Sequence, residues 1–370
     1  MAAPVVLDSA VDKRVQKIVL PGQSPEGEYV LSVLVKRTYD IVPGTSCLRA
    51  PADAKIIPGD QYWDDPMNSS VKFESDFVPW KIATDIVLIG KVYAPNAVPA
   101  RSLFAAIQIG AVQKRILVIG DRAARFTSGL PSFTEPRPFL EMDLRYELAY
   151  GGADIYSDRK LTCLYPRNPV GKGFAIQNIR DSVDGLELPN LEDPDDALDP
   201  HRLCCGHFMR WEQQPKPQSF GWFPKSWQPR ASLAGVMPAD HKTEQQLRAL
   251  YAQAVPPAQR ALYEQTKLPH MNFAFFNGAS EGLVLPFLTG DESVRTWHLT
   301  PEGRIDFFLP GDRPRIGMDI GRGVREPGVV LQTVMIRMEE RQVDLIWRGA
   351  VPYPGPDWLP EMRKMEVFVQ

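Results

Sequence analysis

EYVLSVLVKRTYDI, which runs from Glu28 to Ile41, is rich in β-branched and aromatic residues and contains neither glycine nor proline. Such residues favour extended backbone because their side chains pack well on a pleated surface. The turn signal Pro43-Gly44 follows directly, so the sequence predicts a long strand that ends before it. We therefore expect a β protein.

Similar stretches recur along the chain. They predict further strands at 85–93, 103–109, 112–119, 139–150, 271–276, 283–288, 296–299, 304–308, 329–338 and 342–348. Between two of them, Gly110-Ala111 fits a type II′ hairpin turn, which would place Ile109 opposite Val112. The predicted fold is mainly β (α+β), with antiparallel sheets in sandwich-like or barrel-like packing.

Composition limits the class of protein. The 370 residues include 35 prolines and 27 glycines, too many for a helical bundle. With 42 basic and 45 acidic side chains, the net charge of −3 gives no support for binding to nucleic acid or to an anionic membrane. The sequence shows neither a basic, apolar leader nor a long apolar run, so we expect a cytoplasmic protein. Its cysteines form no regular framework, so we expect them to be reduced.

Three regions are expected along the chain. Residues 1–235 form a β-rich domain, 236–269 a small helical hairpin insert, and 270–370 a β-rich part packed on the first domain. The insert is predicted from Leu247, Leu250 and Tyr251, which recur at helical spacing. Periodicity disappears between residues 151 and 230, where we expect a long irregular region.

One cluster contains the residue types that zinc prefers. His201, Cys204, Cys205 and His207 lie within seven residues. Adjacent cysteines seldom bind one metal together, however, and no second ligand pair exists. Partly buried cysteines beside surface histidines are the alternative interpretation. We therefore expect neither a metal nor another cofactor, and the four residues stay weak candidates.

Catalytic signals are equally weak. Gly278-Ala-Ser280-Glu-Gly282 matches the G-x-S-x-G nucleophile motif, but Pro286 follows within a few residues, so we expect a turn between strands. Glu141 and Asp143 could be part of a glycosidase acid–base pair, yet their alternation with apolar residues is typical of a half-solvated strand. We predict no catalytic residue.

Aromatic residues are dense among the prolines near residue 220. Trp211, Trp222, Phe223 and Trp227 are candidates for binding a partner, because aromatic side chains are enriched at interface hot spots. The alternative is that this segment packs its own aromatic rings onto the sheet. The sequence leaves both interpretations open.

Three stretches resemble a bacterial family that is labelled as a domain of unknown function and encoded among type VI secretion genes. They begin at Phe73, at Ala149 and at Trp227, and end at Gly90, Phe174 and Arg230. The motif residues are Asp76, Pro79, Trp80, Tyr150, Gly151, Gly152, Asp154, Asn168, Pro169, Gly171, Gly173 and Phe174. We interpret the glycine and asparagine positions as turns first and as contact surface second.

The resemblance implies an effector adaptor or chaperone. Such a protein would bind a cognate toxin, alone or with a PAAR-type tip protein, and help to load it onto the VgrG spike. No catalytic residue is assigned to the family, and neither nucleic acid nor membrane is an implied partner. The alternative from a different class is a β-sandwich hydrolase, either carbohydrate-active or zinc-dependent.

Overall fold

A computed structural model of the chain describes residues 15–127, 130–155, 162–175, 184–205, 211–234, 271–320, 323–355 and 366–369. In chain order its strands are β1 (Gln16–Gln23), β2 (Tyr29–Asp40), β3 (Leu48–Arg49), β4 (Gln61–Tyr62), β5 (Val71–Phe73), β6 (Thr84–Ile89), β7 (Lys91–Tyr93), β8 (Ser102–Ile109), β9 (Val112–Ile119), β10 (Ala124–Thr127), β11 (Leu130–Phe133), β12 (Glu141–Asp143), β13 (Tyr150–Gly151), β14 (Ala153–Ile155), β15 (Thr162–Leu164), β16 (Lys172–Gly173), β17 (Leu191–Glu192), β18 (Val284–Leu285), β19 (Ser293–Trp297), β20 (Arg304–Phe308), β21 (Ile316–Asp319), β22 (Val324–Arg325), β23 (Val329–Arg337), β24 (Gln342–Pro352) and β25 (Glu366–Val369). The α-helices are α1 (Pro200–Cys205) and α2 (Arg230–Leu233), and 3-10 helices lie at Pro95–Ala97, Tyr146–Leu148, Trp211–Gln213 and Phe273–Phe276.

The larger sheet has the strand order β1-β2-β24-β23-β6-β18, and β3 pairs with β2 beside this path. The predicted strand at 28–41 is β2, and it pairs with a neighbour along each edge. All pairings in this sheet are antiparallel except that of β6 with β23, which is parallel. Both faces of β2 are covered, which explains why apolar residues of this strand lie on both faces rather than on one.

A second sheet has the order β17-β9-β8-β19-β20. The hairpin of β8 and β9 turns at Gly110, which has φ 54°, and Ile109 faces Val112 as predicted. Alternate residues of β8 enter the same hydrophobic core as Val33 and Val35 of β2. The two sheets therefore pack face to face. The predicted mainly β fold with antiparallel sheets is confirmed, and no sheet closes on itself within the described ranges.

The other face of the larger sheet is buried under residues 50–81. Lys36 on β2 forms an ion pair with Asp76 at 2.8 Å, and Lys81 forms one with Asp85 at 2.5 Å. All four side chains are at most 7% exposed. Because buried charges are stable only when they are paired and hydrogen-bonded, this layer of ion pairs determines how the covering segment sits on the sheet.

Each of the two large sheets contains strands from both ends of the chain, and the two sheets share one core. The boundaries at residues 235 and 270 stay a prediction, and the helical hairpin predicted at 236–269 lies outside the described residues. Between residues 151 and 230 the longest described element is α1, with six residues, as expected for an irregular region. No helix in the described ranges is long and apolar enough to span a membrane.

Four strand predictions were wrong in part or in full. Within 283–288 only Val284–Leu285 is a strand, and within 296–299 the strand β19 ends at Trp297. The stretch 271–276 contains the 3-10 helix Phe273–Phe276, because the side-chain oxygen of Asn272 accepts a hydrogen bond from the Ala274 amide and starts a helical turn. The stretch 139–150 contains only β12 and the start of β13, separated by the 3-10 helix Tyr146–Leu148.

Candidate binding cavity

An open cavity of about 500 Å³ lies beside β18, the last strand of the larger sheet. Its wall includes Ile82 and Ala83 from the first motif stretch, Arg167 from the second, and Pro229-Arg230 from the third. Segments that are far apart in sequence therefore meet at one place. Leu233, Ala274 and Val284 also line it, so much of the wall is apolar.

Apolar side chains remain accessible at the cavity. Ile82 is 44% exposed and Val284 on β18 is 39% exposed. Both side chains line the cavity, so they are not isolated apolar residues on the surface. Clustered exposed apolar groups next to a concavity are typical of ligand or protein binding sites.

Beneath the cavity, Arg230 and Glu74 form a fully buried ion pair. The two guanidinium nitrogens lie 2.6 and 2.7 Å from the two carboxylate oxygens. Arg230 also donates to the backbone oxygens of Phe223 and Phe275, at 2.6 and 2.9 Å. Burial acts to raise the pKa of Glu74, but the charge and hydrogen bonds of Arg230, with smaller contributions from the charges of Lys225 and Lys81, outweigh it and hold the pKa below its usual value. Arg230 is thus satisfied by the protein itself.

Three aromatic rings support one side of the cavity. Tyr146, Phe223 and Trp227 pack edge to face, with ring centroids 5.5 to 5.7 Å apart. Tyr146 is 2% exposed, and burial raises the pKa of its hydroxyl. That hydroxyl makes no hydrogen bond of good geometry to the described residues, although Ser280 is near enough to affect its pKa.

Of the four aromatic residues predicted to bind a partner, one lines the cavity. Phe223 is part of its wall. Trp222 and Trp227 are 3% and 5% exposed and belong to the core, and Trp211 packs partly buried beneath Arg167. This arrangement fits the interpretation in which the segment packs onto the sheet. Any role of these residues in binding a partner stays a prediction.

The charges at the cavity are not balanced. Lys216 is paired with Glu281 at 2.6 Å. Arg167 lies over the Trp211 ring, with 5.1 Å between its Cζ and the ring centroid, and reaches the Gln214 oxygen only at 3.4 Å. Among the residues that the structure describes, no carboxylate oxygen lies within 4.0 Å of the Arg167 side chain. The wall therefore carries a cation that is able to receive a carboxylate.

The second motif stretch builds the floor behind Arg167. Asn168 is fully buried and donates from Nδ2 to the backbone oxygens of Tyr146 and Tyr150, at 2.8 and 3.1 Å. Gly152 has φ 104°, and a Cβ there would lie 2.4 Å from the Gly171 oxygen. Pro169 lies in the adjoining turn, and β13, which includes Gly151, pairs in parallel with β16, which includes Gly173. These positions make contacts within the fold, and whether they also contact a partner is not decided by those contacts.

The remaining motif residues also pack within the fold. Tyr150 and Phe174 form a small aromatic cluster with Tyr165, and Asp154 lies on β14. Asp76 is paired with Lys36. Pro79 lies against Gly22, and Trp80 lies over the guanidinium of Arg348.

The zinc candidates are only partly described. His201 is exposed on α1, and Cys204 and Cys205 are the last two residues of that helix. His207 lies outside the described residues, and nothing is described of the two cysteine side chains. No group of three or more possible metal ligands occurs among the described residues. That these four weak candidates bind no metal stays a prediction.

Ser280 lies in a turn before β18, and no helix follows it, as expected for the weak nucleophile motif. The Lys114 amine donates to Ser280 Oγ at 2.9 Å and to the Glu281 oxygen at 2.8 Å. Burial lowers the pKa of Lys114 to about 7, although Glu281 and Asp193 act to raise it. A neutral amine can in principle accept a serine proton. However, Ser280 is only 1% exposed, so its hydroxyl is not accessible to a substrate. The contact with Lys114 therefore stabilises the turn.

The profile of a protein family described as an uncharacterized protein conserved in bacteria, DUF2169, matches residues 26–348. The chain belongs to this family. Neither curated proteins nor solved structures gave a match. The DUF2169 match includes all three motif stretches and every described residue of the cavity wall, so the cavity is built entirely within the family region.

Sequence reasoning missed most of the wall of this DUF2169 cavity. Ile82, Leu233 and Val284 resemble any apolar residue near a strand or a short helix, and no local pattern distinguishes them. Ile82, Arg167 and Arg230 lie within the motif stretches, but of the wall residues only Phe223 was singled out as a candidate for binding. The cavity itself depends on long-range packing.

Proposed function

We propose that this DUF2169 protein is a cytoplasmic type VI secretion adaptor or chaperone. It binds a cognate toxin, alone or with a PAAR-type tip protein, and helps to load it onto the VgrG spike. The observation that carries the proposal is the convergence of the three motif stretches on one open apolar cavity. The sequence resemblance that suggested an adaptor rests on the same three stretches.

The chemistry of the cavity indicates which part of a client it accepts. Exposed Ile82 and Val284 would be covered by an apolar side chain, which loses contact with water on binding. Arg167, which has no carboxylate partner in the described ranges, would pair with an acidic residue next to that side chain. The expected client segment therefore has an apolar residue beside an aspartate or glutamate. Holding such a segment requires no catalytic group.

Purification of the tagged protein from its native host, with mass spectrometry of what co-purifies, tests this function. We expect one toxin in near-stoichiometric yield. Arg167→Glu should reduce the yield strongly because it places a negative charge against the client's carboxylate. Arg295→Glu, on β19 outside the cavity wall, is the matched control and should retain the toxin. Failure to recover a partner from cells that express the secretion genes would contradict the proposal.

A second readout separates an adaptor from a component of the spike. An adaptor is left behind when the apparatus fires, whereas a spike component leaves the cell with it. Immunoblots of the culture supernatant should therefore detect the toxin but not this protein. Detection of both in equal proportion would identify a structural part of the spike instead.

A further inference from the structure

Arg348 on β24 is a buried cation without a counter-ion. Arg348 is 5% exposed. Its Nε and Nη1 atoms are buried, and neither has a hydrogen-bond partner. In the part of the chain that the structure describes, no carboxylate oxygen lies within 4.0 Å of it. Burial lowers the pKa of Arg348 to about 10, and no neighbouring charge contributes to that shift. The guanidinium is therefore still protonated at neutral pH.

Other cations on the same face of the sheet, two buried and one partly buried, are paired. Lys36 has Asp76 at 2.8 Å, Lys81 has Asp85 at 2.5 Å, and Arg337 has Asp344 at 3.0 Å. Arg348 thus differs from its neighbours in lacking an anion. An unpaired charge in such a place strongly opposes folding unless something neutralises it.

Trp80 compensates for part of this cost. Its ring lies over the guanidinium, with 3.7 Å between Cζ and the ring centroid. The aromatic ring attracts the positive charge from one face of the guanidinium. The ring has no lone pair, however, so it cannot accept a hydrogen bond from the N–H groups, which lie in the guanidinium plane. The two buried N–H groups remain available to an acceptor.

A buried hydroxyl lies on the same side of β24. Ser32 on β2 pairs with Ala350 and Leu34 pairs with Arg348, so Ser32 is a diagonal neighbour of Arg348 on one face. Ser32 is fully buried, and its Oγ has no partner. Arg348 and Ser32 therefore place unpartnered buried donors on one face of the sheet.

We propose that Arg348, Ser32 and the Trp80 ring form a binding site for a small monovalent anion. The anion is expected to be monovalent because the site contains one guanidinium. A divalent anion would leave one buried negative charge without a partner. The donors are N–H and O–H groups, which halides and small carboxylates both accept. This site is separate from the cavity and does not depend on the adaptor function.

The first experiment measures the thermal unfolding midpoint of the full chain against chloride or bromide concentration, at constant ionic strength maintained with gluconate. The unfolding midpoint of the wild type should rise with halide concentration and then reach a plateau. Arg295→Met is the control and should show the same rise, because Arg295 is a partly exposed surface residue. Arg348→Met should lose the dependence. If that variant does not fold, Ser32→Ala serves instead and should weaken the apparent anion affinity about tenfold, as expected for one hydrogen bond to a charge.

Crystals grown or soaked in bromide identify the bound species. We expect an anomalous peak within hydrogen-bond distance of Arg348 and Ser32. Acetate in place of bromide tests whether a small carboxylate occupies the same position. An ordered water there with no saturable anion effect would overturn the proposal. A bromide peak without a saturable effect in solution would show an adventitious ion only and would overturn it as well.

Discussion

Arg230 and Glu74, which are 156 residues apart in sequence, form a bidentate ion pair with N–O distances of 2.6 and 2.7 Å beneath the open cavity. Glu74 comes from the first motif stretch and Arg230 from the third. Because both residues are at most 4% exposed, the charge that remains after the loss of its partner would be poorly solvated. The pair therefore holds together two segments that build the cavity wall.

Replacing one partner of this pair should strongly destabilise the protein. Glu74→Gln leaves Arg230 as a buried charge with reduced compensation, and we expect a loss of about 3–5 kcal/mol in the free energy of unfolding. Chemical denaturation followed by fluorescence measures it. Glu326→Gln, which breaks an exposed ion pair with Arg315, is the control and should leave the denaturation midpoint nearly unchanged. Equal effects of the two variants would show that the buried pair is unimportant.

The same pair predicts how stability depends on pH. The pKa of Glu74 is lowered in the folded protein, so its contribution is fully present above the usual glutamate pKa of about 4.3 and is lost as the pH falls through the folded value. The difference in unfolding free energy between wild type and Glu74→Gln should therefore narrow below about pH 4. Denaturation of both proteins at pH 7 and pH 3 measures it, and an unchanged difference would contradict the assignment.

The close approach at Gly152 should make that position more sensitive than an ordinary turn glycine. Gly152 and Gly185 both have positive φ, 104° and 82°, but only at Gly152 would a Cβ meet backbone, the Gly171 oxygen at 2.4 Å. Gly185→Ala should lower the free energy of unfolding by about 1–2 kcal/mol, because of backbone strain alone. Gly152→Ala should lower the free energy of unfolding by clearly more, and urea denaturation of both variants measures the difference. Equal losses would mean that the two segments can separate without penalty.

Trp227 should contribute to stability rather than directly to binding. It is 5% exposed and packs edge to face on Tyr146 and Phe223. Trp227→Ala should therefore reduce the free energy of unfolding by about 3–5 kcal/mol, the usual range for a large buried aromatic residue. Ile82→Ser, at an exposed position, should change it by only about 0.5 kcal/mol. A stable Trp227→Ala protein would contradict the placement of this ring in the core.

The sequence was most informative where long apolar runs end at glycine or proline. These features predicted β2, β8, β9, β20, β23 and β24 closely, and Gly110 predicted the hairpin register. Local patterns failed where one side chain redirects the backbone, as Asn272 does before Phe273–Phe276. They also could not show that β6 pairs in parallel with β23, because that pairing joins residues 85 and 333 through the packing of the whole sheet.

The candidate sites were less predictable than the fold. The motif stretches include Arg167 and Arg230 without singling them out, and Ile82 and Val284 became part of a site only through the convergence of distant segments. The isolation of Arg348 follows from register, which places Leu34 and Val330 opposite it instead of an acidic residue. Neither relationship leaves a local signal in the sequence.

Site-specific photo-crosslinking tests most directly whether the cavity binds the client. A photoreactive amino acid replaces Ile82 at the cavity, or Val98, which is 63% exposed and outside the cavity wall, in the tagged protein within its native host. We predict that position 82 crosslinks to one toxin and that position 98 does not. A toxin that co-purifies with the protein but crosslinks from neither position, or equally from both, would contradict the assignment of the cavity as the client-binding site.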